Sequence, residues 1–138
     1  MLFKTTQYDM IFYGKVGCGG NAKQKALLKK HNINYEDRDI LNTQWSQEVL
    51  EAFFDGLTNA EIINTSAPQI KRGEVDLSMP KAKLIEKMLQ TPILIRRPLL
   101  EIGKTKVCGF DIEQINTLLS KEIENVEDME KCRMKSRE

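Results

Sequence analysis

The chain has 138 residues, of which 41% are hydrophobic and 30% are charged, and its formal net charge is +1. This length suits one domain, and the near-neutral charge argues against a nucleic-acid partner, because such binding relies on positive charge. No apolar run approaches the roughly 20 residues that span a bilayer, and the N-terminal residues lack a signal-peptide cleavage site. Three scattered cysteines form no disulfide framework, so we expect a reduced, cytoplasmic protein.

The first 41 residues predict a strand, a helix and a second strand. Met10–Gly14 is short and apolar, which predicts a buried strand. Apolar residues at helical spacing over 21–30 predict a helix that Asn32 closes. The alternating segment 33–41 predicts a second strand. This β-α-β order indicates two parallel strands.

About three helices are predicted between residues 45 and 90. The segment 46–54 carries an apolar face. Thr58 and Glu61 form a capping box ahead of a short helix, which Pro68 is predicted to end. Ser78, with Pro80 just inside, is predicted to begin a third helix.

The remaining segments predict a β-hairpin and a last helix. A strand is expected over 92–102 with an interruption at Pro98. A turn that leads into its hairpin partner is expected over 103–110, followed by a helix capped by Asp111 and Gln114. The whole order is that of an α/β, thioredoxin-like fold: a βαβ unit, a helical insertion, then a C-terminal hairpin and helix. We expect this domain at 8–120, with the insertion at about 45–90. The charged segment 121–138 is predicted to be a fraying helix or a disordered tail.

Cys18 directly follows the loop of the first strand and precedes the first helix. The unpaired N–H groups and the positive dipole end of a helix stabilise a thiolate there, as do the nearby cations Lys15 and Lys23. Gly19 and Gly20 allow the backbone to approach an anion closely. The local sequence is equally compatible with a small buried cysteine that has no chemistry.

Asn21 stands three residues after Cys18, where a dithiol redox site has its second cysteine. Disulfide cycling within this motif is therefore excluded, and an external thiol, Cys108 or Cys132 would have to resolve a mixed disulfide. Asn21 either caps the helix or contacts an anionic substrate. No residues have the spacing of a metal site.

Two consecutive arginines, Arg96 and Arg97, precede Pro98. In a strand they would point to opposite faces, so one of them is expected at the site, where a guanidinium holds an oxyanion through two hydrogen bonds. The alternative is one solvated arginine and one paired with an acidic residue. Pro98 indicates a sheet edge, a bulge or a cis bond.

Two stretches, "IFYGKVGCGGNAKQKALLKKHNINYEDRDILNTQW" and "TPILIRRPLLEIGKTKVCGFD", resemble the arsenate reductase and Spx-like family of thioredoxin-fold proteins. Within that family they are most similar to the nitrogenase-associated proteins, over residues 10–111. The resemblance implies a catalytic Cys18 that attacks an oxyanion or forms a mixed disulfide with glutathione or another thiol. It also implies an anion-binding Arg97 beside a site-shaping Pro98, and glutathione or glutaredoxin as an external thiol rather than a bound cofactor.

The chain departs from the arsenate reductases at two arginines. They carry one in the short middle helix, where this chain has "IINTSAP", and another after the glycine of the last strand, where it has Gly109 and Phe110. Arg97 alone remains of the three, which argues against arsenate reduction. Two hypotheses stand: a thiol oxidoreductase that uses Cys18 alone, and a non-catalytic binding or regulatory protein that docks a partner linked to nitrogen fixation.

Overall fold

The computed structural model describes residues 8–124. A single 3-10 turn at Pro92–Leu94 precedes the third strand. None of the described helices combines the length and the apolar character needed to cross a membrane. In chain order the strands and helices are β1 (Met10–Gly14), α1 (Gly19–Lys30), β2 (Tyr35–Asp39), α2 (Gln47–Phe53), α3 (Asn59–Ile62), α4 (Pro68–Lys71), α5 (Lys81–Gln90), β3 (Leu99–Ile102), β4 (Thr105–Cys108) and α6 (Ile112–Leu119).

The four strands form one sheet in the order β2-β1-β3-β4. Strands β1 and β2 are parallel and are joined through α1, whereas β3 runs antiparallel to β1 and forms a hairpin with β4. Gly103 adopts a φ of 61° in the hairpin turn, a conformation that glycine reaches without steric cost. The predicted α/β order of a βαβ unit followed by a hairpin and a helix is confirmed.

Each face of the sheet packs against its own apolar core. Phe12 and Leu100 point to the face where α1 and α6 pack, and the buried Leu28 and Ile115 of those helices meet them there. Tyr13 points to the opposite face, which is covered by the helices of the insertion. Alternate residues of a strand point to opposite faces, so β1 contributes to both cores. This double burial explains why β1 lacks the charges of the edge strand β2, whose sequence is YEDRD.

Several local signals have the structure that the sequence predicts. Strand β1 has the predicted bounds, and the capping box of Thr58 and Glu61 is present at the start of α3. The Asp111 side chain accepts a hydrogen bond from the Gln114 N–H and so caps α6. These features depend on residues no more than four positions apart, and local chemistry is sufficient to specify them.

The prediction that Pro68 ends a helix is wrong. Helix α3 ends at Ile62, and Pro68 is instead the first residue of α4, because a proline at the first helical position loses no hydrogen bond. The insertion therefore has four helical segments within the described residues, where about three were expected. The third of the predicted helices begins at Lys81 with Pro80 as its N-cap residue, not at Ser78.

The two longer strand predictions are also too long. Strand β2 covers Tyr35–Asp39 and not 33–41. Of the segment 92–102, the first part is a 3-10 turn and an isolated bridge between Ile95 and Ile63, and only Leu99–Ile102 joins the sheet. An apolar run of this kind looks the same whether it packs as a strand or as a buried loop.

The C-terminal part of the described chain continues to contribute to the core. Ile123 is buried, and the Asn116 side chain holds it by accepting from its N–H (2.8 Å) and donating to its carbonyl (3.0 Å). Core packing thus reaches three residues past the expected domain limit at residue 120. The rest of the predicted tail, including Cys132, lies outside the described residues.

Candidate functional site

Cys18 is the N-cap residue of α1, as the sequence predicts. The loop reaches it through Gly17, whose φ of 85° is a conformation that favours glycine. The Cys18 carbonyl accepts from the Ala22 N–H at 3.0 Å, and its side chain makes no capping hydrogen bond. The first N–H groups of the helix, which include those of Gly19 and Gly20, have no acceptor within the helix. A thiolate or another anion beside Cys18 would therefore meet a positive potential.

The side chain of Cys18 is enclosed. The residue is only 3% exposed, which fits the small buried cysteine that the local sequence left open beside the reactive thiolate. Burial depends on how distant parts of the chain pack, which local sequence features do not reveal. Cys18 nevertheless lines one end of a groove between α1 and β2, with a volume of about 530 Å³, so solvent reaches this part of the molecule from that side.

Asn21 does not cap α1, since Cys18 occupies that position. Its side chain is buried, its Oδ1 accepts from the Lys15 N–H at 2.8 Å, and its Nδ2 donates to Gln24 Oε1 at 2.9 Å. Gly14 lies against the same amide. Asn21 therefore fixes the loop before Cys18 to the first turn of α1, and its amide oxygen is already engaged within the protein.

Arg97 and Pro98 lie at the same end of the sheet as the loop before Cys18. Tyr13 pairs with Leu99 in the antiparallel register, which places Pro98 beside Gly14. The Arg97–Pro98 peptide bond is cis, and the Pro98 carbonyl accepts from the Gly109 N–H at 2.8 Å. The sequence predicts a sheet edge, a bulge or a cis bond at Pro98, and the structure has the cis bond.

The two arginines of this segment have different environments. Arg96 Nη1 donates to the Glu61 carbonyl at 3.0 Å, which attaches that side chain to α3. Arg97 has its Nε and Nη1 atoms buried, and neither has a hydrogen-bond partner within residues 8–124. An unpaired buried donor is costly, and more so when it carries charge. Two donors of Arg97 therefore have no acceptor that residues 8–124 supply.

Lys15 lines the groove together with Cys18, as does Asn21. Lys23 is exposed on α1 and is not part of the groove lining, so the structure does not bring this second predicted cation to the site. The groove wall formed by Tyr35 and Asp37 of β2 was missed by sequence reasoning. These residues lie beside α1 only because β2 pairs with β1. No local feature of the sequence indicates that they line the groove.

Cys108 lies on the other face of the sheet from α1. It pairs with Leu99 across the hairpin and packs against the core of the insertion, and its Sγ donates to the Glu61 carbonyl at 3.7 Å. The Cys108 side chain therefore points to the core of the insertion, away from the face on which α1 packs. Cys108 is partly buried. Residues 8–124 hold no group of three or more metal-binding side chains.

Comparison with known proteins extends these observations. The ArsC family model matches residues 13–118. An uncharacterized 15.7 kDa protein in the draG 3′ region of Rhodospirillum rubrum is 36% identical over 125 residues, which cover 90% of this chain and 87% of the relative. The global transcriptional regulator Spx of Listeria innocua is 30% identical over 116 residues, covering 80% of this chain and 87% of Spx.

Solved structures show the same fold. An ArsC family related protein from Bacteroides fragilis has a TM-score of 0.69 and 25% identity, covering 80% of this chain and 97% of that protein. The arsenate reductase from Vibrio cholerae has a TM-score of 0.64 and 21% identity, covering 83% and 98%. The expected thioredoxin-like fold is therefore confirmed. With the family model spanning most of the chain and both cores, this protein belongs to the ArsC family.

Proposed function

We propose that this protein is a monothiol oxidoreductase in which Cys18 forms a mixed disulfide with glutathione or another external thiol. The observation that carries the proposal is the buried, unpartnered guanidinium edge of Arg97 at the same sheet end as the Cys18 loop. Buried donors of a charged group cost free energy when they have no acceptor, and an anion would supply one. A carboxylate or a thiolate of the substrate would complete the site through charge-assisted hydrogen bonds.

The reaction would be a thiol–disulfide exchange. The Cys18 thiolate attacks one sulfur of glutathione disulfide, a new sulfur–sulfur bond forms, the old one breaks, and one glutathione thiolate leaves. The positive end of α1 stabilises the attacking thiolate. Because Asn21 replaces the second cysteine of the motif and the Cys108 side chain packs against the core of the insertion, a second thiol from solution, such as glutathione or a glutaredoxin, would release the mixed disulfide.

Arsenate reduction is not part of this proposal. A single arginine would have to hold an oxyanion for which the family pattern supplies three, and each missing guanidinium removes charge-assisted hydrogen bonds. The sequence "IINTSAP" and the Gly109–Phe110 pair stand where the other two would be. A disulfide sulfur is uncharged before the thiolate attacks it, so the reacting group itself needs fewer cations than arsenate does.

The test is the reaction of the purified protein with glutathione disulfide, followed by intact-mass spectrometry. We expect one glutathione adduct on the wild-type protein at Cys18 and its loss in Cys18→Ser. The variants Cys108→Ser and Cys132→Ser serve as matched controls and should react as the wild type does. An adduct that persists in Cys18→Ser, or no adduct at all, would contradict the proposal.

A second candidate is a binding or regulatory protein linked to nitrogen fixation. The 3% exposure of Cys18 favours it, as do the similarity to Spx regulators and the relative in the draG region, which is related to nitrogen fixation. A deletion strain complemented with wild type or Cys18→Ser separates the two candidates. The measurement is growth with dinitrogen as the only nitrogen source. If Cys18→Ser restores this growth in full, the binding role is supported. If only the wild type restores it, thiol chemistry is supported.

A further inference from the structure

The burial of Cys18 limits the reaction proposed for it. The residue is 3% exposed, whereas the rate of thiol–disulfide exchange depends on access to the attacking thiolate. An incoming disulfide therefore needs a conformation in which Cys18 is more exposed than it is here. The part of the chain around Cys18 that is least firmly held is the part that can supply this conformation at the lowest cost.

The turn before Cys18 is lightly packed. It is closed by the Cys18 N–H, which donates to the Lys15 carbonyl at 3.2 Å. Val16, in the middle of the turn, is 77% exposed. A Cβ added at Gly17 would meet no atom within 4 Å, so this stretch of backbone borders open space. Because Cys18 is the last residue of the turn, a movement of the turn carries Cys18 with it.

The first turn of α1 lacks several features that stabilise the start of a helix. The Cys18 side chain makes no capping hydrogen bond, and the first turn contains no acidic residue. Gly19 and Gly20 occupy the first two helical positions. A glycine stabilises a helix less than an alanine does, because its backbone loses more freedom on folding. The start of α1 is thus weakly stabilised on the same side as the turn.

A buried pair of side chains holds this segment in place. Asn21 and Gln24 are both buried, and Asn21 Nδ2 donates to Gln24 Oε1 at 2.9 Å. Asn21 Oδ1 accepts from the Lys15 N–H at 2.8 Å, which joins the first residue of the turn to the buried side of the helix. Movement of the turn away from α1 breaks this bond, and a buried oxygen that loses its donor costs free energy.

We propose that the turn 15–18 and the first turn of α1 open locally to expose Cys18, and that the Asn21–Gln24 pair keeps this gate closed between reactions. The inference rests on the proposed function for its role, since the attack of Cys18 on a disulfide is what requires access. The closed state also withdraws the thiol from other oxidants, because oxidation of a cysteine depends on its exposure. Asn21 is a positioning residue, and the reactivity of Cys18 follows the open fraction.

The test measures the rate at which iodoacetamide alkylates Cys18 in the native protein. Peptide mass spectrometry follows each cysteine separately, and an unfolded peptide with the sequence around Cys18 gives the reference rate. We expect a rate well below the reference that changes little with urea before the unfolding transition, since a local opening exposes little surface. A rate that rises with urea as steeply as global unfolding does would overturn the gate.

Variants on both sides of the gate test its control. Asn21→Ala should raise the alkylation rate about five- to tenfold, the equilibrium factor of one buried hydrogen bond. The factor should be the same at every pH, whereas a changed thiol pKa would shift the midpoint of the pH profile. Gly19→Ala should lower the rate about two- to fivefold by favouring the helix. Asn116→Ala is the matched control, because it removes two hydrogen bonds to Ile123 and should leave the Cys18 rate unchanged.

The outcomes separate this inference from the proposed function. Equal alkylation rates in the wild type and Asn21→Ala, or a wild-type rate equal to the reference, would overturn the gate. If circular dichroism shows that Asn21→Ala does not fold, an unchanged rate in Gly19→Ala overturns it instead. If the variants behave as expected but glutathione disulfide gives no adduct, the gate is supported and the proposed function fails. If the adduct forms at a rate that neither variant changes, the function stands and the gate is overturned.

Discussion

Arg96 and Arg97 are adjacent in sequence, yet their guanidinium groups meet different surroundings. Arg96 donates to a backbone carbonyl of α3, while Arg97 has two buried nitrogen atoms without a partner in the described chain. The strand pattern predicts that one of the two serves the site, and the family resemblance assigns that role to Arg97. The difference between their surroundings comes from α3, because the Glu61 carbonyl, 35 residues from Arg96 along the chain, accepts from Arg96.

We expect Arg97→Met to raise the free energy of unfolding by about 1–3 kcal/mol, the cost of leaving a buried polar group unpaired. Methionine retains the apolar stem of the side chain and removes the guanidinium. The same variant should react more slowly with glutathione disulfide, because the anion loses its partner. Chemical denaturation and the exchange rate measure the two effects.

Arg96→Met provides the contrast for this prediction. It removes the hydrogen bond to the Glu61 carbonyl, so it should lower stability while leaving the exchange rate close to that of the wild type. A loss of stability in Arg97→Met comparable to that in Arg96→Met would show that Arg97 is satisfied in the free protein.

At the scale of elements, the turn from β1 into α1 is held by close packing. A Cβ at Gly14 would lie 2.6 Å from Phe12 Cε1 and 2.9 Å from Asn21 Oδ1. The Asn21 amide in turn holds the Lys15 N–H. A glycine at the end of β1 is therefore needed for the close approach of strand and helix, and not for an unusual backbone conformation.

Gly14→Ala should lower the free energy of unfolding by about 1–3 kcal/mol, the usual cost of overpacking. Urea denaturation measures it. A double-mutant cycle with Phe12→Leu is the control, because the shortened side chain removes the atom in closest contact and should reduce the cost of the added methyl group. Equal costs in the two backgrounds would place the strain elsewhere.

At the scale of the whole molecule, a row of polar side chains crosses all four strands. Arg38 Nη1 donates to Tyr13 Oη at 3.4 Å, Tyr13 donates to Glu101 Oε1 at 2.9 Å, and Lys106 Nζ lies 3.6 Å from Glu101 Oε2. The Tyr13 ring also packs against Trp45, with the centroids 4.9 Å apart. This row thus connects the sheet to the start of the insertion.

Burial, followed by the hydrogen bond to Glu101 and its negative charge, raises the pKa of Tyr13 to about 12. Between about pH 10 and pH 12 the unfolded chain loses this proton while the folded chain keeps it, so stability must fall as pH rises through that window. A tenfold change in proton affinity is worth about 1.4 kcal/mol, so the full loss is about 2–3 kcal/mol.

Denaturation curves recorded from pH 8 to pH 12 test this prediction. Tyr13→Phe keeps the ring and lacks the titrating hydroxyl, so the difference between the two proteins isolates Tyr13 from the lysines and the other tyrosines. We expect the wild type to lose its advantage over Tyr13→Phe as pH approaches 12. Parallel curves over the whole range would contradict the assigned pKa.

Local chemistry in the sequence was enough to determine β1, the capping box at Thr58 and the position of Cys18 at the start of a helix, because these depend on neighbouring residues. It did not determine the role of Pro68, the true extent of β3 or the burial of Cys18. Proline begins a helix as readily as it ends one, and apolar runs are ambiguous until their packing is known. The tertiary structure alone decided which arginine lacks a partner, which lysines line the groove and how Tyr13 connects the strands. Each of these requires side chains from distant parts of the chain to meet, and only strand pairing and helix packing bring them together.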